Sequence, residues 1–503
     1  MQKLSLARVL AVVLAVVAAP AAFSQAPSWD AATFKAPADA RWSRIAAQDA
    51  QAAYELLRDN HPGAAPTLHD LAFQERLKNA RTLALKRART VTSYQGYLFV
   101  LAGFATDMAD KHIWSRPTFV VNLPLWTEFI VSKRGEAWTV TDTEPDHSDL
   151  LGAMLISCDG EAVQDLARKN VGGFHAVWSI GAQQIQNAPW LLVDEGNPFI
   201  KRPKVCVFEQ HGQRRTSTLE WVRIKRENLL PRIKNAIGAG AAGFGIRRVG
   251  EGYWIALQDL QSDRAREVVK AVEAQKAALR AVPFVVLDLR GNGGGSSLMG
   301  RDIAASLMGA AVVDARLGSM LENCGGPDGA WRASEGNIKQ LEYLQTDPLV
   351  RRGSAEIKKM VQDTLQATLE AHAQGKDFSG PISCPAPPTT AVTGQPPSLM
   401  QGRLILLTDN LCFSSCLAVT DDFRTLGAFH IGQTTDAATH FVDVREQYLP
   451  SGYAMFSTLE SLAPDAPAQV GPYEPAMPYN GDIADTAALE AWVIEKVIPA
   501  AGK

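Results

Sequence analysis

Several things are scarce in this chain. Six cysteines and nine histidines are scattered over 503 residues. None falls into a Cys-x-x-Cys or His-x-x-x-His spacing, so no metal site is expected. Positive charge is not in excess: 50 Lys and Arg stand against 53 Asp and Glu, a formal net charge of -3. No basic block and no Lys/Arg stripe interleaved with aromatics occurs, which argues against a nucleic-acid partner. Beyond the N-terminus no apolar run is long enough to span a bilayer, so no transmembrane segment is expected after signal removal. The richest glycine stretch lacks the third glycine of a dinucleotide fingerprint, and no lysine follows it as in a phosphate loop. No cofactor is expected.

The N-terminus is informative. Lys3 and Arg8 precede the apolar run Val9–Ala19, then Pro20 and the small residues Ala21, Ala22 and Ser24. This is the pattern of a secretory signal peptide, residues 1–24, with cleavage near Ser24 and a periplasmic or secreted product. Export permits disulfides. Cys324 and Cys384 bracket one insertion and make a sensible staple. Cys158, Cys206, Cys412 and Cys416 either pair as Cys158–Cys206 and Cys412–Cys416 or stay free.

Helical spacing of apolar residues runs over Asp39–Asn60, Leu68–Arg89 and Thr92–Asp110, giving a helical N-terminal region, 38–115. Alternation then predicts strands at Thr118–Leu123, Trp126–Ser132, Ala137–Thr141, Val205–Glu209 and Thr216–Val222, a β region over 116–225. From Gly252 strands and helices alternate, as in a layered α/β core, for which the range 226–503 is expected. A strand is expected at Ala311–Ala315, then a helical insertion over about 316–400.

Phe284–Gly300, FVVLDLRGNGGGSSLMG, is a buried strand, an almost all-glycine turn and a helix. Gly293, Gly294 and Gly295 in a row mark a place where backbone N–H groups approach something closely. At a helix start those groups favour negative charge, whether a bound anion or an oxyanion formed in a reaction. Asp288 and Arg290 read as braces of the turn. A second stretch, LTDNLCFSSCLAV, is a strand, a polar turn and a helix opening with Ser414 and Ser415. Ser414 is either an N-cap or a nucleophile served by two convergent donors.

The turn D-L-R-G-N-G-G-G resembles the oxyanion-side motif of the S41 serine peptidases, the tail-specific and C-terminal-processing proteases and their tricorn-like relatives. Cys412-Phe413-Ser414-Ser415-Cys416, Ile431-Gly432-Gln433-Thr434-Thr435 and Leu449-Pro450-Ser451-Gly452 resemble that family's serine segment, its "V-G-x-x-T" and its "L-P-S-G". Leu151–Val163 is similar to its PDZ-like segment. The resemblance implies three parts: an N-terminal helical domain, a PDZ-like β domain and a crotonase- or ClpP-like α/β catalytic core. It implies Ser414 as nucleophile, with oxyanion donors from Gly293 or Gly294 and from Ser415. No lysine lies between Ser414 and Lys496, which excludes the family's Ser/Lys dyad here. Asp110-Lys111-His112 resembles the "D-G-H" of the tricorn-like branch, which makes His112 the base, with His440 as the alternative. Glu460 and Glu474 are the candidates for orienting the histidine. The implied function is an exported serine endopeptidase that cleaves unfolded or C-terminal polypeptide segments. The competing reading is a non-catalytic protein that binds peptides or small apolar ligands.

Overall fold

The computed structural model describes residues 41–120, 123–317, 330–352, 355–382, 396–464 and 466–500. The signal segment 1–24 and the candidate pair Cys324 and Cys384 lie outside these residues.

The centre is a six-stranded sheet. Its order is Phe244–Val249, Gly252–Leu257, Phe284–Asp288, Arg403–Thr408, Phe429–Gly432 and Met477–Pro478; the first pair is antiparallel and the rest parallel. Its middle strands are apolar on both faces, as expected where helices cover both sides. Ile255, Leu257, Val285, Leu287, Leu404 and Leu406 face one core with the helices Asp263–Arg280, Leu298–Met308 and Ser415–Thr425. Trp254, Ala256, Phe284, Val286, Ile405 and Leu407 face another, closed by Leu489 and Val493 from the C-terminal helix. The period of two along each strand thus sorts one sequence run into two cores.

The N-terminal helices Trp42–Asn60, Leu71–Ala88 and Tyr94–Asp107 pack on each other and on a hairpin from far along the chain, Phe441–Tyr448 with Ala454–Leu462. Phe441, Phe456, Leu459 and Leu462 belong to the same apolar cluster as Trp42, Leu57 and Phe104, so the helices do not bury their faces alone. An antiparallel sheet (Phe129–Arg134, Ala137–Thr143, Met154–Cys158, Val205–Gln210, Gln213–Thr218) has its own core. There Cys158 and Cys206 are register partners joined by a disulfide. A second disulfide joins Cys412 to Cys416.

Three expectations change. Ala310–Leu317 is a helix where a strand was expected, because Val312 and Val313 turn inward onto the core beside Leu298–Met308. Of the Thr118–Leu123 strand, the described residues Thr118, Phe119, Val120 and Leu123 carry none, and the local strand is Ser115–Pro117, paired to Ala454–Phe456. The helix Arg226–Ala236 packs on Trp126, Ile130 and Val193, and the central sheet begins with the strand Phe244–Val249, ahead of the alternation expected from Gly252.

Candidate active site

Two neighbouring parallel strands, Phe284–Asp288 and Arg403–Thr408, end side by side, and each runs on into a turn and then a helix. In open α/β sheets the crevice beyond such strand ends is where ligands bind. The first strand delivers the glycine turn and the second delivers Ser414.

The glycine turn is braced from below. Asp288 receives Arg290 through its backbone N–H at 3.0 Å and through its guanidinium at 2.7 Å, both side chains being fully buried. Asn292 donates through its side chain to Leu257 O and accepts at Oδ1 from the Gly294 N–H at 2.9 Å. Gly294 has φ 106°, and a Cβ there would lie 2.7 Å from the Ser414 Cβ. Only glycine lets the turn lie flat on the serine. Gly293 has nothing within 4 Å of where a side chain would begin, so its peptide borders open space. Of the three expected donors, Gly294 already spends its N–H on Asn292 Oδ1, while Ser415 directly follows the serine at the helix start.

Ser414 sits at φ 57°, ψ −128° just before the helix Ser415–Thr425. A non-glycine residue in such a region costs about 1–3 kcal/mol and persists only where the surroundings over-determine it. It makes no capping hydrogen bond. Its Oγ lies 3.0 Å from His112 Nε2. His112 Nδ1 lies 3.1 Å from Asp110 Oδ1, which also accepts the His112 backbone N–H at 2.8 Å. Asp110 Oδ2 accepts the Thr439 hydroxyl. The imidazole leans on the Phe413 ring, centroids 4.4 Å apart, and His112 O accepts from Ser457 Oγ at 2.8 Å. The ring is thus held at both nitrogens and on one face. His112 and Asp110 are buried, and Ser414 is half-buried. Burial alone would raise the Asp110 carboxyl, but the His112 ring, the Thr439 hydroxyl and the His112 N–H outweigh it and hold it below the ordinary carboxylate range.

Lys111, between the two, points elsewhere. Its Nζ lies 2.7 Å from Asp436 Oδ2 and 2.7 Å from Gln186 Oε1, and 4.5 Å from the Phe413 ring centroid. Asp436 also accepts from Gln183 and Gln186, and its backbone N–H donates to Cys412 O. Asp436 therefore ties the His112 segment and the helix Gly181–Asn187 through its carboxylate, and the serine turn through its backbone N–H.

The other expected residues are not brought to Ser414. His440 turns its Nδ1 to Ala466 O at 3.3 Å. Glu460 is buried in an ion pair with Arg445 at 2.8 Å, where desolvation pushes its carboxyl up to about 8. Glu474 is exposed. The carboxylate on the histidine is Asp110, missed as such by sequence reading. The available signal was its spacing: an Asp two residues before a His can accept that residue's backbone N–H and face its ring at once. Asp409 was also missed. It accepts from the Gly291 N–H at 2.8 Å and the Leu411 N–H at 3.0 Å, so it bridges the two turns, and burial raises its carboxyl to about 7.

No family model matches the chain, and no curated protein matches it. Among solved structures, mature CPAF is similar at a TM-score of 0.58 and 16% identity over 92% of this chain and 99% of that one. Mature CPAF complexed with lactacystin is similar at a TM-score of 0.58 and 16% identity, over 92% of this chain and 98% of that one. A photosystem II D1 C-terminal processing protease aligns over 90% of this chain and 98% of its own at 13% identity, but its TM-score of 0.35 carries no weight. At 16% identity the likeness is one of fold: the chain has, over nearly its whole length, the architecture of mature CPAF.

Proposed function

We propose that this chain is a serine-type peptidase of S41 kind, acting through Ser414, His112 and Asp110. The observation that carries the reading is the unbroken relay from Asp110 through both nitrogens of His112 to a Ser414 Oγ held in a strained backbone against a glycine turn. A serine that is merely a helix cap needs neither the histidine nor the strain.

In the forward step the Ser414 Oγ attacks the scissile carbonyl carbon and its proton passes to His112 Nε2. The negative charge forms on the carbonyl oxygen, beside the N–H groups of Gly293 and Ser415. Asp110 stabilises the imidazolium and keeps Nδ1 protonated. The C–N bond breaks as His112 returns the proton to the leaving amine. Water, deprotonated by His112, then releases the acyl group from Ser414. The substrate is a polypeptide, unfolded or near its C-terminus, and the sheet Phe129–Thr218 serves as its PDZ-like tether. The protein works after export. The two disulfides and the signal-like N-terminus support that setting.

The test is hydrolysis of casein and uptake of a fluorophosphonate label by the mature chain, with Ser414→Ala and His112→Ala alongside. Loss of both signals in both variants is the expected result. No turnover and no label in the wild type would return the chain to the binding-protein reading.

A further inference from the structure

The backbone around Ser414 is closed covalently. Cys412, two residues before it, is bonded to Cys416, two residues after it, with their Cα atoms 5.3 Å apart. Both cysteines are fully buried in the apolar cluster under the sheet. Inside the ring the Cys416 N–H donates to Phe413 O at 3.1 Å, and from outside the Phe413 N–H donates to Asn292 O at 3.1 Å. The ring 412–416 thus encloses the nucleophile and rests on the glycine turn. Left-handed φ is unfavourable for an L-residue, and an open chain relaxes out of it. A ring this small leaves the serine few alternatives.

We propose that the Cys412–Cys416 disulfide is the positioning element of the nucleophile, and that the chain gains its activity when this bond forms. With both thiols reduced, Ser414 relaxes off His112 while the fold persists, because the buried cysteines still pack in a core built mainly from apolar side chains of other strands and helices. Formation removes two protons and two electrons from the two thiols. The acceptor is an external disulfide, whose S–S bond breaks to two thiols as the Cys412–Cys416 bond forms. Proteolysis is thereby withheld until the chain meets an oxidising compartment. Cys158–Cys206 is different in kind: it ties two paired strands of the antiparallel sheet, 48 residues apart in sequence. The proposal rests on the peptidase reading above.

The experiment compares oxidised wild type, wild type reduced with dithiothreitol, Cys412→Ala/Cys416→Ala and Cys158→Ala/Cys206→Ala, on labelled casein and with a fluorophosphonate. Opening the Cys412–Cys416 bond is expected to lower kcat and the labelling rate by about 10- to 100-fold, the scale of a displaced reacting group. KM stays within about twofold, since substrate binding is untouched. Reoxidation restores the wild type, and reductant has no effect on kcat of the Cys412/Cys416 variant. In the Cys158/Cys206 variant dithiothreitol still lowers kcat by the same factor, because Cys412–Cys416 is the bond whose opening matters. Should the Cys412/Cys416 variant fail to fold, wild type is titrated with reductant and the open bond is trapped with iodoacetamide and read by mass. Full kcat with the bond open overturns the proposal. If oxidised wild type neither turns over nor takes label, the peptidase reading is what has failed. The His112 ring nitrogen shifts, read by NMR, then decide the positioning claim: identical shifts with the bond closed and open overturn it.

Discussion

The glycine turn and the serine turn occupy equivalent places, at the ends of adjacent parallel strands and ahead of a helix. They hold irregular backbone by opposite means. The first discards side chains: Gly294 and Gly295 reach φ 106° and 134° without a Cβ, and buried polar groups of Asp288, Arg290 and Asn292 fix the path from below. The second keeps its side chain, the hydroxyl that meets His112, and must restrain Ser414 at φ 57° by other means, with a disulfide across it and a glycine turn against it. Where a side chain is kept at such a φ, glycine cannot relieve the backbone, so the restraint moves into the surroundings.

Substitutions that strike one turn and spare the other sharpen that contrast. The largest effect is expected from Ser414→Ala, which removes the proposed nucleophile and lowers kcat on casein by up to about 10⁶-fold. Asp110→Asn keeps the shape but weakens the hold on the His112 tautomer, and kcat falls by about 10⁴-fold with KM little changed. Gly294→Ala removes none of the reacting groups yet puts a Cβ 2.7 Å from that of Ser414, which must shift. A kcat loss of about 100-fold is expected, the scale of a displacement of about 1 Å; unaltered kcat would show that the glycine turn does not position the serine.

The smallest effect concerns Asp409, which bridges the turns. Its carboxyl is raised to about 7 in the folded chain by burial, with Asp288 adding to the rise and the Gly291 and Leu411 N–H groups and Arg290 opposing it. An unfolded carboxyl titrates near 4. The folded state therefore holds the proton longer, and the stability this group contributes is complete below about 4 and is lost as pH rises through about 7. Urea unfolding of wild type and Asp409→Asn across that window should show the difference between them shifting against the wild type as pH rises. A difference independent of pH would mean that Asp409 is ionised throughout.

Much of this site was legible locally. The apolar run Phe284–Leu287, the glycines and the serine before a helix carry signals within a few residues of themselves, and the structure brings those segments together. Where local patterns were ambiguous, packing decided. Ala311–Ala315 is too short to tell helix from strand by period, and the core beside it selects the helix. Arg226–Ala236 carries Pro231 inside it and became a helix through its contacts with Trp126 and Val193.

By itself, then, the amino-acid order determined which segments are strands buried on both faces, where the backbone must be glycine, which serine opens a helix and that an Asp stands two residues before His112. Those are matters of period, backbone freedom and reach along the chain. Only the tertiary structure decided that His112, 302 residues from Ser414, is the group on its hydroxyl, that Glu460 belongs to Arg445, and that Cys412 is joined to Cys416. Such pairings bring distant segments together, and they are set by how the helical layer, the hairpin Phe441–Leu462 and the central sheet bury their apolar faces on one another.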